Sequence, residues 1–357
     1  MSVAKMADGK RWYSSVRYKD WTGKARQKKK EGFSTKKEAQ AWERDFTAQQ
    51  SGAAGMTVAK LYELYIADAE ARLRPGVLVN KKNIFESHIL PYFGDRQADQ
   101  ITPADIRSWQ THIMQSHDYS QTYLKSLNRQ LSAMLNFAVR YKGLPSNPCT
   151  IAASMGKSTP STEMQIWTQA ELGAFLRALG DSEASVAFSI LFWAGLREGE
   201  LLALTPSDIG DGVIRVSKSY SRLHGEDLLQ RPKTDRSRRE VRVPSSLTTM
   251  IQAHIAKLYG IQQDDRIFPH TAHWLRKTMA ATAPRAGVKP IRIHDLRHSY
   301  AALMISMLCP ITTLSRQLGH EKVSTTLDLY GHMYPSDIDE MVEKLGKRFD
   351  SVTQEKA

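Results

Sequence analysis

Two stretches of small, turn-forming residues interrupt the patterning of this chain and read as linkers between separately folding bodies. SGAAG at residues 51–55 is short and flexible, and LPSNPCTIAASMGKSTPST at 144–162 is rich in Pro, Ser, Thr and Gly. With 357 residues the chain is too long for one ordinary core, so the interruptions read as domain boundaries. The expected bodies are residues 1–52, 56–150 and 163–345, followed by a tail at 346–357. The fold class expected is multidomain and mainly α with small β-sheets. An N-terminal three-stranded sheet with one helix comes first, then a helical bundle, then a mixed α+β domain.

In the first body RWYSSVRYKD alternates apolar and polar residues, as a half-buried strand does. WTGK can turn, and ARQKKKEGF returns as a second strand. Thr35-Lys36-Lys37-Glu38 predicts a capping box opening a helix through Ala39, Trp42 and Phe46. Residues 1–55 hold thirteen Lys and Arg against six Asp and Glu, more than half of the net +13. Lys28-Lys29-Lys30 alone would be a solvated turn. Tyr13, Tyr18 and Trp21 interleaved with Arg11, Arg17, Lys19, Lys24, Arg26 and Lys28 point instead to DNA contact.

The second body is patterned for helices. Val58, Leu61, Tyr62, Tyr65 and Ile66 share one face, and Leu124, Leu127, Leu131, Leu135 and Ala138 make another stripe. Thr102-Pro103-Ala104-Asp105 is a helix start, with a capping hydroxyl, proline at the first position and an acid in the first turn. Lys81, Lys82, Arg107, Lys125 and Arg129 are expected on its surface, where they can face phosphates. The third body opens on a capping box, Thr168-Gln169-Ala170-Glu171, followed by a buried helix over Ala187 to Trp193. GVIRVSKSYS and RREVRVP read as strands joined by a charged turn, and helices resume from about residue 245.

A balance of +13 with a pI near 9.6 favours a polyanionic partner. No run of 18 apolar residues exists, so a membrane span is not indicated, and MSVAKMADGKRWYSS lacks a signal peptide's apolar stretch. Cys149 and Cys309 are far apart and form no CxxC, which fits a reducing compartment. Nucleic acid in the cytoplasm is the leading expectation.

Four islands carry polar residues suited to chemistry. Arg197 sits in WAGLREGELLAL, Lys233 in RPKTDRSRRE, His294 and Arg297 in IHDLRHSYAALM, and His320 and Tyr330 in LGHEKVSTTLDLYGH. Each has an ordinary structural reading. Arg197 can be an ion pair with Glu198 or Glu200, Lys233 a solvated cation, His294 and His298 caps or surface residues, and Tyr330 a core tyrosine with its hydroxyl bonded. A metallonuclease built on His294, His298, His320 and His332 lacks HExxH or clustered carboxylates, Asp295 being the one acid nearby. No GxxxxGK[ST] loop marks an ATPase.

Taken together, in order, Arg197, Lys233, His294-x-x-Arg297, Leu318-Gly319-His320 and Tyr330 resemble the tyrosine recombinase (phage integrase) family. AGLREGELLAL, PKT before a basic strand, HDLRHS and TTLDLYGH resemble it too, across the whole third body. The layout of a small basic domain before a helical one looks like integrases of the lambda and conjugative-transposon type. That resemblance implies an arm-type DNA-binding domain, a SAM-like core-binding domain and a catalytic domain. It implies a site-specific recombinase of a mobile element or phage that integrates or excises DNA through a 3′-phosphotyrosine link. It also implies double-stranded core and arm sites, a homotetramer on paired sites, and a host DNA-bending protein or excisionase as partner. No cofactor, ATP or metal is implied.

The residue types suit that reaction. A phosphodiester gains charge as it becomes pentacoordinate, and Arg197 and Arg297 can bind its non-bridging oxygens bidentately. Preorganised donors of this kind are worth about 3–4 kcal/mol apiece. His294 and His320 can donate to the same oxygens or move protons. Tyr330, whose phenol has a reference pKa near 10, attacks phosphorus, and Lys233 is the candidate acid for the 5′-hydroxyl that leaves. Tyr334 is a rival, but the family places its tyrosine about ten residues after the LGH histidine and two before another. Tyr330 meets both conditions, with His320 and His332. In the tail, Ile338, Met341, Val342 and Leu345 fall at helical spacing, either packed on their own domain or docked on a neighbouring protomer. A type IB topoisomerase and a non-catalytic DNA-binding regulator are the competing functions.

Overall fold

The computed structural model describes residues 3–6, 11–19, 25–50, 55–158, 164–230, 238–334 and 338–354. Contacts divide the chain into two units, 1–163 and 164–357, each taken by itself below.

Unit one begins with the antiparallel sheet β1 (Val3–Lys5), β2 (Trp12–Lys19) and β3 (Ala25–Phe33), in that order, followed by α1 (Lys36–Gln50). Because side chains alternate across a strand, the buried Ser14 and Val16 define the face toward the helix, where Ala39 is also buried. The Thr35 hydroxyl caps α1 by accepting from the Glu38 N–H, as expected. The Glu38 carboxylate reaches one residue further than a capping box requires, to the Ser34 N–H at 3.0 Å.

The helices that follow are α2 (Val58–Glu70), α3 (Pro75–Ile84), α4 (Leu90–Phe93), α5 (Pro103–Ser116), α6 (Gln121–Tyr141) and α7 (Cys149–Ala152). A π turn, Phe85–Ile89, fuses α3 to α4, and its His88 carbonyl accepts the indole N–H of the buried Trp109 at 2.9 Å. The five α6 residues of the predicted stripe are all buried, together with Val58, Leu61 and Ile66. Thr102 and Asp105 form the capping box of α5. This core does not stop where the Pro/Ser-rich stretch begins: Leu144, Cys149, Ala152 and Met155 belong to it. The buried Asn147 accounts for this, since it donates to Ser132 and Asn136 and accepts from the Cys149 N–H, tying the stretch down.

Unit two contains α8 (Gln169–Leu179), α9 (Glu183–Trp193), α10 (Glu198–Leu201), β4 (Ile209–Gly210), β5 (Val213–Val216), β6 (Ser219–Leu223), β7 (Glu226–Gln230) and β8 (Arg239–Arg242). It continues with α11 (Ser245–Lys257), α12 (Ala272–Arg285), α13 (Ile293–Ser306), α14 (Ile311–Leu318), α15 (Val323–Tyr330) and α16 (Ile338–Gln354). The capping box at Thr168 and Glu171 opens α8. Helix α9 is apolar on every side from Val186 to Phe192, Ser189 excepted, and is accordingly the central helix of the core.

The strands depart from expectation. GVIRVSKSYS is two strands in two sheets: β5 pairs with β8 and β4, and β6 pairs with β7, which the sequence reading missed. Glu226–Gln230 is too polar to show strand alternation, and the tight His224-Gly225 turn, with both residues at positive φ, makes it. The described strands on either side of Lys233, β7 and β8, belong to different sheets.

Candidate active site

Four loops and helix ends of unit two converge. After α9 the chain turns at Gly195, whose φ of 61° favours glycine and where an added Cβ would collide with the Tyr300 ring. That turn puts Arg197 at the N-cap of α10. Arg197 is 38% exposed and bonds the Glu200 carboxylate at 2.8 Å, so the structural ion pair and an open guanidinium coexist. Glu200 is buried and also holds Arg239 through two bonds of 3.0 and 2.9 Å. Burial alone would raise its pKa, but bonding to Arg239 and the charges of Arg239, Arg197 and Arg297 lower it to about 2.

Helix α13 brings His294, Arg297 and His298 onto one face through their i, i+3 and i+4 spacing. Arg297 is 1% exposed. It donates to the carbonyl oxygens of Gly195, at 2.8 Å, and of Leu318. One buried cation thus pins the Arg197 turn to the end of α14. Burial, then the charge of Arg197, lowers its pKa to about 9, leaving it charged at neutral pH. Arg197 leaves part of its fork open to solvent, whereas Arg297 is buried with one N–H of each terminal nitrogen on a carbonyl. Gly319 ends α14 at φ 65°, and a Cβ there would lie 2.8 Å from Cδ of Arg239. Leu318-Gly319-His320 therefore needs its glycine for backbone and for space.

His320 shares a hydrogen bond between Nδ1 and the buried Thr326 hydroxyl at 2.8 Å. Burial and the charges of Arg297, Arg197 and Arg239 push it down to about 4. Close packing, with Arg297 and Arg197, also lowers His294, although part of its ring is open to solvent. Both imidazoles are therefore neutral at neutral pH.

Tyr330 ends α15 and is 1% exposed. Burial raises its phenol to about 12, while Arg297 and Arg197 act in the opposite direction. Its hydroxyl lies 2.7 Å from Nδ1 of His298. The rival Tyr334 donates its hydroxyl to the Cys309 carbonyl at 2.8 Å. Sequence reasoning left His298 as a cap or surface residue, yet it is buried against Tyr330. Its i+4 relation to His294 was the available signal. Glu200 and Arg239 were missed as a buried pair because they are 39 residues apart. Lys233 lies outside the described residues.

In unit one the register separates the expected DNA-contacting residues. Tyr13, Ser15 and Arg17 pair with Glu31, Lys29 and Gln27 on the face away from α1. Gln27 donates to the Ser15 hydroxyl at 2.7 Å, and Lys29 stands 4.4 Å over the Tyr13 ring. Lys28 pairs with the buried Val16 and Arg26 shares its alternation, so both fall on the helix side of the strand. Arg11 is exposed just before β2. The side chain of Lys19, and Lys24 entirely, lie outside the described residues. Lys81 is not a surface cation: it is 7% exposed and bonds the Tyr65 hydroxyl at 2.8 Å and Gln130 at 2.6 Å. Burial lowers its pKa. Lys82 pairs with Glu70, Lys125 donates to Ser158, and Arg107 and Arg129 are exposed. No helix of the described residues is long and apolar enough to cross a membrane.

Comparison with known proteins matches each part of the chain. Residues 1–50 fit the Arm DNA-binding domain, 57–114 the phage integrase N-terminal SAM-like domain, and 168–337 the Phage integrase family. The ICEBs1 integrase of Bacillus subtilis is 30% identical over 304 residues, covering 80% of this chain and 81% of that protein. The Tn1549 transposon integrase, solved with transposon right end DNA, superposes with a TM-score of 0.68 at 20% identity, over 82% of this chain and 99% of that one. A lambda integrase dimer bound to a COC′ core site gives 0.62 at 16% identity, over 94% and 97%.

Proposed function

The chain belongs to the phage integrase family of tyrosine recombinases, site-specific integrases of mobile elements that break and rejoin DNA, and we propose that Tyr330 is its nucleophile. The observation that carries this is the seat of the Tyr330 hydroxyl, held by His298 within the field of Arg197 and Arg297. Tyr334 has spent its hydroxyl on a backbone carbonyl.

In the reaction Arg197 takes a non-bridging phosphate oxygen with the open part of its fork, Glu200 holding the other side. Arg297 anchors the loops, and each of its terminal nitrogens keeps a second N–H for the phosphate. His320 and His294, neutral, donate hydrogen bonds to the same oxygens. Tyr330 attacks phosphorus, forming the 3′-phosphotyrosine link, and Lys233 protonates the departing 5′ oxygen. Residues 1–52, 56–150 and 163–345 act as arm-binding, core-binding and catalytic domains, with Arg17, Gln27 and Lys29 facing the arm site.

The exposed Met341, Val342, Leu345 and Phe349 of α16 favour docking on a neighbouring protomer, which links four subunits on paired sites. Truncation at Pro335 should then weaken the paired-site complex more than single-site binding, measured by native gel shift. Normal pairing by the truncated chain sinks that reading.

Incubation with a nicked suicide duplex built on the element's own end sequence tests the nucleophile. Tyr330→Phe should lose all covalent capture while binding DNA as before, and Tyr334→Phe should keep capture. A trapped Tyr330→Phe protein overturns the assignment.

A further inference from the structure

A phenol that bonds to phosphorus must release its proton, and a buried phenol cannot hand it to bulk water. Among the described residues the Tyr330 hydroxyl has one hydrogen-bond partner, Nδ1 of His298 at 2.7 Å. Both groups are withdrawn from solvent, Tyr330 at 1% exposure and His298 at 8%. The His298 ring is fixed between two others: His294 meets it edge-on with centroids 4.9 Å apart, and Tyr330 lies tilted at 5.6 Å. His294 thus touches His298 and not the hydroxyl.

We propose that His298 is the proton acceptor for Tyr330, its Nδ1 taking the phenolic proton as the oxygen bonds to phosphorus. The inference rests on Tyr330 being the nucleophile. In cleavage the O–H bond breaks, its electron pair forms the new O–P bond, and the proton moves to Nδ1. The bond from phosphorus to the 5′ oxygen breaks with its pair on that oxygen, which takes a proton from the acid of the site. In rejoining, the 5′-hydroxyl attacks, the phenolic oxygen departs with its pair, and the imidazolium returns the proton.

The resting protonation states fit this direction of transfer. Burial, then His294, pushes His298 down to about 4, with Asp295 opposing and Arg292 and Arg297 adding to the fall. Burial pushes Tyr330 up to about 12. At neutral pH the proton therefore sits on the phenol, and the ring is neutral with its Nδ1 lone pair accepting. Transfer becomes favourable once O–P bonding makes the phenolic oxygen electron-poor. The nucleophile is thereby quiet until a phosphate occupies the site.

The test uses the full-length protein and single-turnover cleavage of the suicide duplex, with His298→Asn and His298→Ala. Asparagine can accept the phenolic hydrogen bond near the Nδ1 position but cannot take the proton. Both variants should slow covalent capture by ~10²–10⁴-fold while gel-shift affinity is retained. A duplex with a bridging 5′-phosphorothiolate, whose thiolate leaves without an acid, should not restore the rate. Capture by His298→Asn at the wild-type rate would reduce His298 to a hydrogen-bonding prop and overturn the proposal. Rescue by the phosphorothiolate would overturn it too, placing the defect on the leaving group. Loss of DNA binding in both variants would equally count against it, since it assigns His298 no part in the folded site's affinity. Tyr330→Phe, run alongside, separates the readings: capture surviving there removes the nucleophile assignment, whereas capture lost there but normal in His298→Asn removes this inference alone.

Discussion

The N-terminal sheet and unit two hold cations in opposite surroundings. On the sheet, Arg17 and Lys29 are exposed, and Lys29 is balanced by Glu31 and the Tyr13 ring. In unit two, Arg239 and Arg297 are buried and locked, by Glu200 and by two loop carbonyls. Exposed charges are screened by salt and can let a polyanion come and go. Buried charges have already lost their water, so they need no reorganisation when charge develops on phosphorus. On the roles proposed above, recognition and catalysis call for different burial of the same residue types.

The strongest way to break this contrast is to remove the anion that holds the buried cations. Glu200→Gln removes the buried carboxylate charge that bridges Arg197 and Arg239 and should cost about 3–5 kcal/mol of folding stability, measured by denaturant unfolding. A variant as stable as the parent would show that the network is not structural.

A pH series sharpens the same point. The folded-state pKa of Glu200 is depressed from 4.5 to about 2. Its stabilisation is therefore complete above about 4.5 and lost as pH falls through about 2. The stability gap between the parent and Glu200→Gln should narrow across that interval, and a constant gap would refute the ionic origin.

The sheet should give the smallest effect. Arg17→Ala or Lys29→Ala should each lower the slope of log affinity against log salt by about 0.9 if the residue meets a phosphate. Covalent capture on a short core duplex should not change. A loss of capture there would erase the distinction between the two regions.

Much of the molecule was legible in the sequence. The leucine stripe of α6, the helix start at Thr102, the capping box at Thr168 and the apolar run of α9 are local patterns, and each forms the expected element. The strands around Lys233 were less legible, because β7 is polar and short and its pairing is fixed by a turn. Lys81 misled for a related reason: a lysine on a helix reads as solvated until its partners, 16 and 49 residues away, are seen.

By itself the sequence determined the residue types, their order and the chemistry they can perform, because helical period, caps and motif spacing are local properties of the chain. Only the tertiary structure decided which cation stays open and which is buried, that Gly195 and Gly319 make room for Tyr300 and Arg239, and that His298 holds Tyr330. The physical reason is distance along the chain. Arg297 meets a carbonyl 102 residues away, and His298 meets a phenol 32 residues away. Such contacts exist only once helices from distant segments are packed, and no local period encodes them.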